Sequence, residues 1–279
     1  MIPTSEVHRR AASDGIRFDQ AEKDYVILWI LYALSQTEID PSGWILKGGT
    51  CLRHCYYPGY RFSEDLDFTC QPLRKGLEEA RPLLHRVVSW IQVTSGILME
   101  IKSINADPGD FQVEIPIEYR RGGLHRQGLP TVKIHLTFDE PVLTKEVKCL
   151  VKPQYSDLSD FYIPAYSKTE IIAEKMRGLL QQQNRWPRPR DLFDLWFILC
   201  QSREHFPPED LRKLFSQKCH VRQIEPDTLG LVSENLREWI KSAWPHVMGA
   251  LMKTVPEFEK VWHDWVETSR TIFSEGKKI

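Results

Sequence analysis

The sequence predicts an α/β (α+β) fold, with a strand-bearing first half followed by a helical second half. Three observations lead there. A short apolar stretch, Trp44-Ile45-Leu46, runs into a double glycine at Gly48 and Gly49. Leu66, Phe68 and Cys70 then alternate with Asp65, Asp67 and Thr69, which is the period of two that a strand requires. Beyond residue 167 the apolar positions recur at helical spacing.

Taken in order, Ala21, Tyr25, Leu28, Trp29 and Tyr32 form one face of a helix behind a capping-box pair, Asp19 and Glu22, and that helix should end before Pro41. Trp44 to Leu46 reads as a buried strand, and Thr50 opens the next helix. Residues 73–94 have a helical pattern disturbed at Pro82. Strand-like stretches follow at 97–104, 111–119 and 131–138, with Gly122 and Gly123 between the last two and a fourth stretch near 146–151. Residues 153–166 mix proline, aspartate and tyrosine without a period, so they read as a crossover between a domain at 1–152 and a helical one at 153–279. Ser167-Lys168-Thr169-Glu170 is a second capping box, and Ile172, Met176, Leu179 and Leu180 make the buried stripe behind it. Leu192, Leu195, Trp196 and Leu199 continue the pattern, and Trp239, Trp244, Trp262 and Trp265 read as helical core.

Composition sets bounds on function. An apolar content of 42% supplies real cores, and a net charge of −1 means that any basic, nucleic-acid-binding surface must be local. The cysteines at 51, 55, 70, 149, 200 and 219 lack C-x-x-C spacing and read as buried reduced thiols. Cys51 and Cys55 flank His54 one helical turn apart, where core filling outweighs a metal site. Met1-Ile2-Pro3-Thr4 does not begin a basic then apolar leader, and no apolar run reaches membrane-spanning length, so a cytoplasmic location is expected.

The chemistry concentrates in two places. Glycines after a strand let backbone amides approach a phosphate closely. Asp65 and Asp67 share one strand face, and two neighbouring carboxylates repel unless a cation lies between them; Mg²⁺ or Mn²⁺ fits, because a hard ion can bridge to substrate phosphates. The alternative is a tight turn and two solvated acids. In the second half, Lys175 flanks the apolar stripe, where a lysine can simply snorkel to water. Asp191 and Asp194 share a helix face, where acids near a helix start also act electrostatically. Between Lys175 and these acids, Arg185, Trp186, Arg188 and Arg190 form a stiff basic loop, and Arg120, Arg121, His125 and Arg126 form another. Both loops suit RNA phosphates and an unpaired base, or equally solvated charge and pairing with acids.

Gly48-Gly49-Thr50 followed by Arg61-x-Ser63-x-Asp65-x-Asp67-Phe68, together with Glu174-Lys175 and Arg190-Asp191-x-x-Asp194, resembles the AbiEii/AbiGii nucleotidyltransferase toxins of bacterial type IV toxin-antitoxin systems. The resemblance implies a polymerase-β-like core with a mixed sheet, then a helical domain that contributes Lys175 and Asp191 or Asp194 to the active site. It assigns Gly48, Gly49 and Thr50 to triphosphate, Asp65 and Asp67 to the metal, Lys175 to nucleotide phosphate and the downstream acid to support of the site. Ser63 falls where the family often has a functionally sensitive serine. A nucleoside triphosphate is the implied substrate, and a cognate antitoxin, which need not bind the toxin, is the implied partner. Some relatives act on the 3′ end of tRNA, which makes tRNA the first acceptor to test.

Relatives of this type often carry a third carboxylate on a later strand. Here the segment Val132 to Thr137 offers His135, with Glu114, Glu118 or Asp139 as substitutes. A neutral imidazole also accepts a proton near neutral pH. Two readings from other classes therefore stay open: a nucleotide-binding module with degenerate catalysis, and a toxin that acts through protein interaction. An antibiotic-modifying type of nucleotidyltransferase is a third.

Overall fold

The computed structural model describes residues 1–39, 43–71, 77–109, 111–121, 128–182 and 186–274. The chain forms two compact units, Met1–Tyr166 and Ser167–Ile279. The first contains α1 (Thr4–Asp14), α2 (Phe18–Leu34), β1 (Trp44–Lys47) and α3 (Gly48–Cys51), which runs on into a π-helical turn, Leu52–Tyr56. After it come β2 (Asp65–Cys70), α4 (Leu77–Ser95), β3 (Leu98–Ile101), β4 (Asn105–Ala106), β5 (Gln112–Arg120), β6 (Thr131–Thr137), β7 (Val147–Val151) and β8 (Phe161–Ala165). The strands make one mixed sheet in the order β3-β5-β6-β2-β1-β8-β7, with β4 on β5. Among the described residues, parallel pairing is confined to β2 with β6 and β1 with β8.

Alternation along the strands divides the sheet into two faces. Leu46, Leu66, Phe68, Ile115, Ile117, Ile134 and Leu136 are buried on one, against which α2 and α4 pack. Asp65, Asp67, Glu114 and His135 stand half-exposed on the other. Pro82 lies inside α4 without ending it.

Two expectations for the first unit change. The cap of α2 is made two residues earlier than the sequence suggested, by Gln20 accepting from the Arg17 amide at 3.0 Å, because Glu22 faces inward and takes the buried Arg121 guanidinium at 3.1 Å. Residues 153–166, read as a crossover, contain β8. It lies parallel to β1 and antiparallel to β7, so the division between units falls at Tyr166 rather than at 152. Its five residues alternate buried and exposed, a period masked in the sequence by Pro164 and Tyr162 on the outer side.

The second unit is helical: α5 (Lys168–Gln182), α6 (Pro189–Trp196) with a π-turn after it, α7 (Pro208–Val221), α8 (Glu234–Gly249) and α9 (Phe258–Phe273). Ser167 caps α5 by accepting the Glu170 amide at 3.2 Å, but the Glu170 carboxylate goes to the fully buried Lys218 at 2.8 Å instead of closing the box. Trp244, Trp262 and Trp265 are core, whereas Trp239 is 40% exposed and falls outside it.

Candidate active site

β1 delivers the chain into a turn that only glycine can make. Gly48 sits at φ 74°, and a Cβ there would lie 2.4 Å from Asp67 Oδ2. A Cβ on Gly49 would lie 2.8 Å from Ser63 Oγ and 3.0 Å from an Arg61 guanidinium nitrogen. The Thr50 hydroxyl donates to the Asp65 carbonyl at 2.5 Å, which ties the start of α3 to the acid strand. Antiparallel pairing sets Lys47 opposite Asp67. Gly48, Gly49, Thr50, Ser63, Asp65 and Asp67 are thus brought together in the first unit, with the first-turn amides of a helix, which lack intrahelical partners, beside two carboxylates.

This donor set fits a hard divalent ion. Among the described residues no group of three or more His, Cys, Asp or Glu could hold a metal alone. Mg²⁺ and Mn²⁺ sites that complete their shell with water and substrate phosphate need only one or two carboxylates, and Asp65 and Asp67 are half-exposed on one strand face beside a glycine turn.

Parallel register places Lys133 beside Asp65 and His135 beside Asp67. His135 therefore stands where a third acid was sought. Glu114, opposite His135 on β5, is bonded to Lys133 at 3.0 Å and lies 4.0 Å from the imidazole, while Glu118 pairs with Lys102 at 3.4 Å. Asp139 follows β6 and is half-buried.

Three positively charged residues near the turn were given no role from the sequence. Lys47 is buried, 3.9 Å from Glu140 and 5.7 Å from the centre of the Tyr166 ring. Arg61 is buried over Gly49 and donates to the Phe62 carbonyl at 3.1 Å. Both sit inside or directly beside the motifs, the one signal that could have found them. Arg53, in the π-turn, bonds Asp24 at 2.9 Å, Asp14 at 2.7 Å and the Tyr60 carbonyl. His54 also reaches Asp24, at 3.2 Å. Burial pushes the Asp24 carboxyl up, but His54 and Arg53 more than reverse this and hold it below the usual carboxylate range.

The second unit assembles its own cluster. Lys175 Nζ lies 2.9 Å from Asp191 Oδ1 and 2.5 Å from Asp194 Oδ2, all three residues being buried. The lysine does not snorkel, because two carboxylates hold its ammonium inside. Arg188 Nε pairs with Asp191, so the arginine next to the acids is Arg188, and Arg190 is exposed. Trp186 is 70% exposed, and Arg185 lies outside the described residues. In the other basic loop Arg121 is a core residue, donating to Glu22 and to the Ile2 carbonyl at 2.8 Å; His125 and Arg126 lie outside the described residues.

Comparison with solved structures finds the same fold elsewhere. MenT4, a nucleotidyltransferase toxin from Mycobacterium tuberculosis H37Rv, superposes with a TM-score of 0.71 at 19% identity, covering 99% of this chain and 91% of that one. JHP933 from Helicobacter pylori gives a TM-score of 0.57 at 22% identity, covering 91% of each chain. No curated protein matches the sequence significantly. The family model described as nucleotidyl transferase AbiEii toxin, type IV TA system, matches residues 29–267. The chain therefore belongs to the AbiEii family of nucleotidyltransferase toxins.

Proposed function

We propose that this nucleotidyltransferase transfers a nucleotide from a nucleoside triphosphate to an acceptor hydroxyl, with the 3′ end of tRNA as the first acceptor to test. The observation that carries this reading is the Gly48-Gly49-Thr50 turn set directly against Asp67 and tied to Asp65. In it, the turn amides hold phosphate oxygens and Ser63 lines the same turn. A divalent ion on Asp65 and Asp67 would neutralise triphosphate charge. The acceptor oxygen attacks the α-phosphorus and pyrophosphate departs, so orientation by the turn and the strand face supplies most of the rate. Among the described residues no helix is long and apolar enough to cross a membrane, and we place the activity in the cytoplasm, opposed by a cognate antitoxin.

The experiment is incubation of the protein with Mg²⁺ or Mn²⁺, each labelled triphosphate and total RNA. A labelled RNA band is expected from the wild type, and none from Asp65→Asn or Asp67→Asn, which remain folded because removing one of two neighbouring carboxylates relieves repulsion. Full transfer by Asp65→Asn would sink the mechanism.

A second reading is favoured by His135, which stands beside Asp67 in place of an acid, and by the lysine partners of Glu114 and Glu118. In that reading the protein binds triphosphate but transfers slowly. Tight triphosphate binding without pyrophosphate release distinguishes the two.

A further inference from the structure

We propose that the outer face of the β7–β8 hairpin is a contact surface for single-stranded RNA, with Tyr162 as the base platform and Lys148 as its phosphate contact. This rests on the reading of an RNA acceptor, and adds where that acceptor is gripped away from the chemistry.

Strand alternation shows which side of the sheet is involved. Ala165 pairs with Leu46 on the apolar face, so Tyr162 and Pro164 point to the other side, as does Tyr166 just past the end of β8. The Tyr166 hydroxyl confirms this by bonding Thr69 Oγ1 at 2.6 Å, and Thr69 shares its strand face with Asp65 and Asp67. Tyr162 therefore stands on the same sheet face as the acid pair. Measured to Asp67, it is two strands over and about four residues along, on the order of 16 Å away at about 4.8 Å per strand and about 3.3 Å per residue, with Asp65 two residues farther. A chain of a few nucleotides covers that distance.

The chemistry of the surface is specific. Tyr162 is 52% exposed, unlike the other tyrosines that meet the sheet core, and Lys148 Nζ lies 4.8 Å from its ring centre. An aromatic ring on a rigid strand with a cation already at its face is arranged to stack a base and meet the adjoining phosphate. Leu150, opposite Tyr162 in register, is part-exposed and widens the apolar platform. Lys152 follows on the same side, one residue beyond β7 and across from Asp160. Lys148 faces Pro164 instead, which makes it the stronger phosphate contact. Among the described residues β7 ends the sheet order, so no further strand pairs with its outer edge. A hydrophobic protein partner fits less well, because the row alternates lysine with apolar groups.

Lysines on an edge strand also guard it against unwanted pairing, and the test must separate that role from RNA contact. Anisotropy of a fluorescein-labelled single-stranded oligoribonucleotide reads binding without requiring transfer. Tyr162→Ala should weaken binding roughly tenfold, within the range for loss of one stacked base. Tyr162→Phe should bind like the wild type. Lys148→Ala should weaken binding severalfold and flatten its salt dependence by about one phosphate contact. Magnesium-triphosphate affinity and melting temperature should be unchanged in all three, since none of these side chains is core. Oligoribonucleotide affinity unaltered in Tyr162→Ala and Lys148→Ala overturns the proposal and leaves the lysines as edge protection. Loss of toxicity in Tyr162→Ala with RNA affinity intact also overturns it, in favour of a polypeptide partner. If wild-type protein binds the oligoribonucleotide through Tyr162 yet labels no RNA, the surface stands and the acceptor reading fails.

Discussion

Asp67 occupies the space that any side chain at Gly48 would need, with its Oδ2 2.4 Å from the position of a Gly48 Cβ. One contact therefore links the two halves of the site: the turn can approach the acid strand this closely only because it carries no side chain. Gly48 is also held at φ 74°, where an L side chain costs roughly 1–2 kcal/mol in the backbone alone.

Gly48→Ala should accordingly lose more than backbone stability. The methyl must push Asp67 off its position or open the turn, and either moves a carboxylate away from the turn amides. The expected outcome is a melting temperature lowered by several degrees, with triphosphate affinity reduced far more than stability. Thermal unfolding and titration calorimetry with a magnesium-triphosphate complex check both. Affinity close to wild type would show that the turn and Asp67 do not act together.

Lys175 is the second pivot, and its burial changes what its removal does. With Asp191 and Asp194 both on its ammonium, Lys175→Met removes the cation that two buried carboxylates share and leaves Asp191 with Arg188, a loss of about 3 kcal/mol or more. The family resemblance implies, as a proposal, that Lys175 also holds nucleotide phosphate. Lys175→Arg should recover much of the stability and only part of the nucleotide affinity, because a planar fork does not replace a point charge. Affinity measured well below the melting point separates the effects. Nucleotide binding by Lys175→Met equal to wild type would leave the lysine as a structural ion-pair partner alone.

Much of this arrangement is legible in the sequence because its signals are local. The period of two from Leu66 to Cys70 fixes which face Asp65 and Asp67 share, and the glycine pair marks the turn. What escapes is long-range pairing. Nothing near Tyr162 in the chain announces that 161–165 will lie parallel to β1, since that pairing is decided by residues more than a hundred positions away. The same holds for charge partners. Glu22 looks like a helix cap until Arg121 arrives to bury it, and Arg188 rather than Arg190 reaches Asp191, because Arg188 stands at the N-cap of α6 with the acid one turn ahead. His135 beside Asp67 follows from the β2–β6 register, which alternation alone leaves free to slide by two residues.

The cysteines give a chemical test of packing. Burial pushes Cys70 up to about 12 and Cys219 up to about 11, and it raises Cys200 as well. Thiols raised this far carry almost no thiolate at neutral pH, and the thiolate is the reactive form. Ellman's reagent at pH 7.5 should therefore react slowly with native protein and fully once guanidinium is added. Fast, complete labelling of Cys70 in the native state, read by mass spectrometry, would contradict the closed packing around β2.

The acid limit of the fold should be set in part by Asp24. Its carboxyl is buried, and burial raises its pKa, yet His54 and Arg53 lower it below the ordinary value of about 3.9 expected in the unfolded chain. Between the folded and unfolded pKa values the unfolded state binds the extra proton, so the Asp24 contribution is complete above about pH 4 and declines as pH falls through the folded pKa. Urea unfolding from pH 7 to pH 2 should show stability dropping below about pH 4. Asp24→Asn should be less stable at pH 7, because Arg53 loses one of the two carboxylates that hold it, and its profile below pH 4 should be flatter than wild type. Arg53 lies in the π-turn that continues directly from Gly48-Gly49-Thr50. Magnesium-triphosphate affinity in Asp24→Asn at pH 7 should thus fall although the residue touches no phosphate, while a pH profile identical to wild type would remove Asp24 from the account.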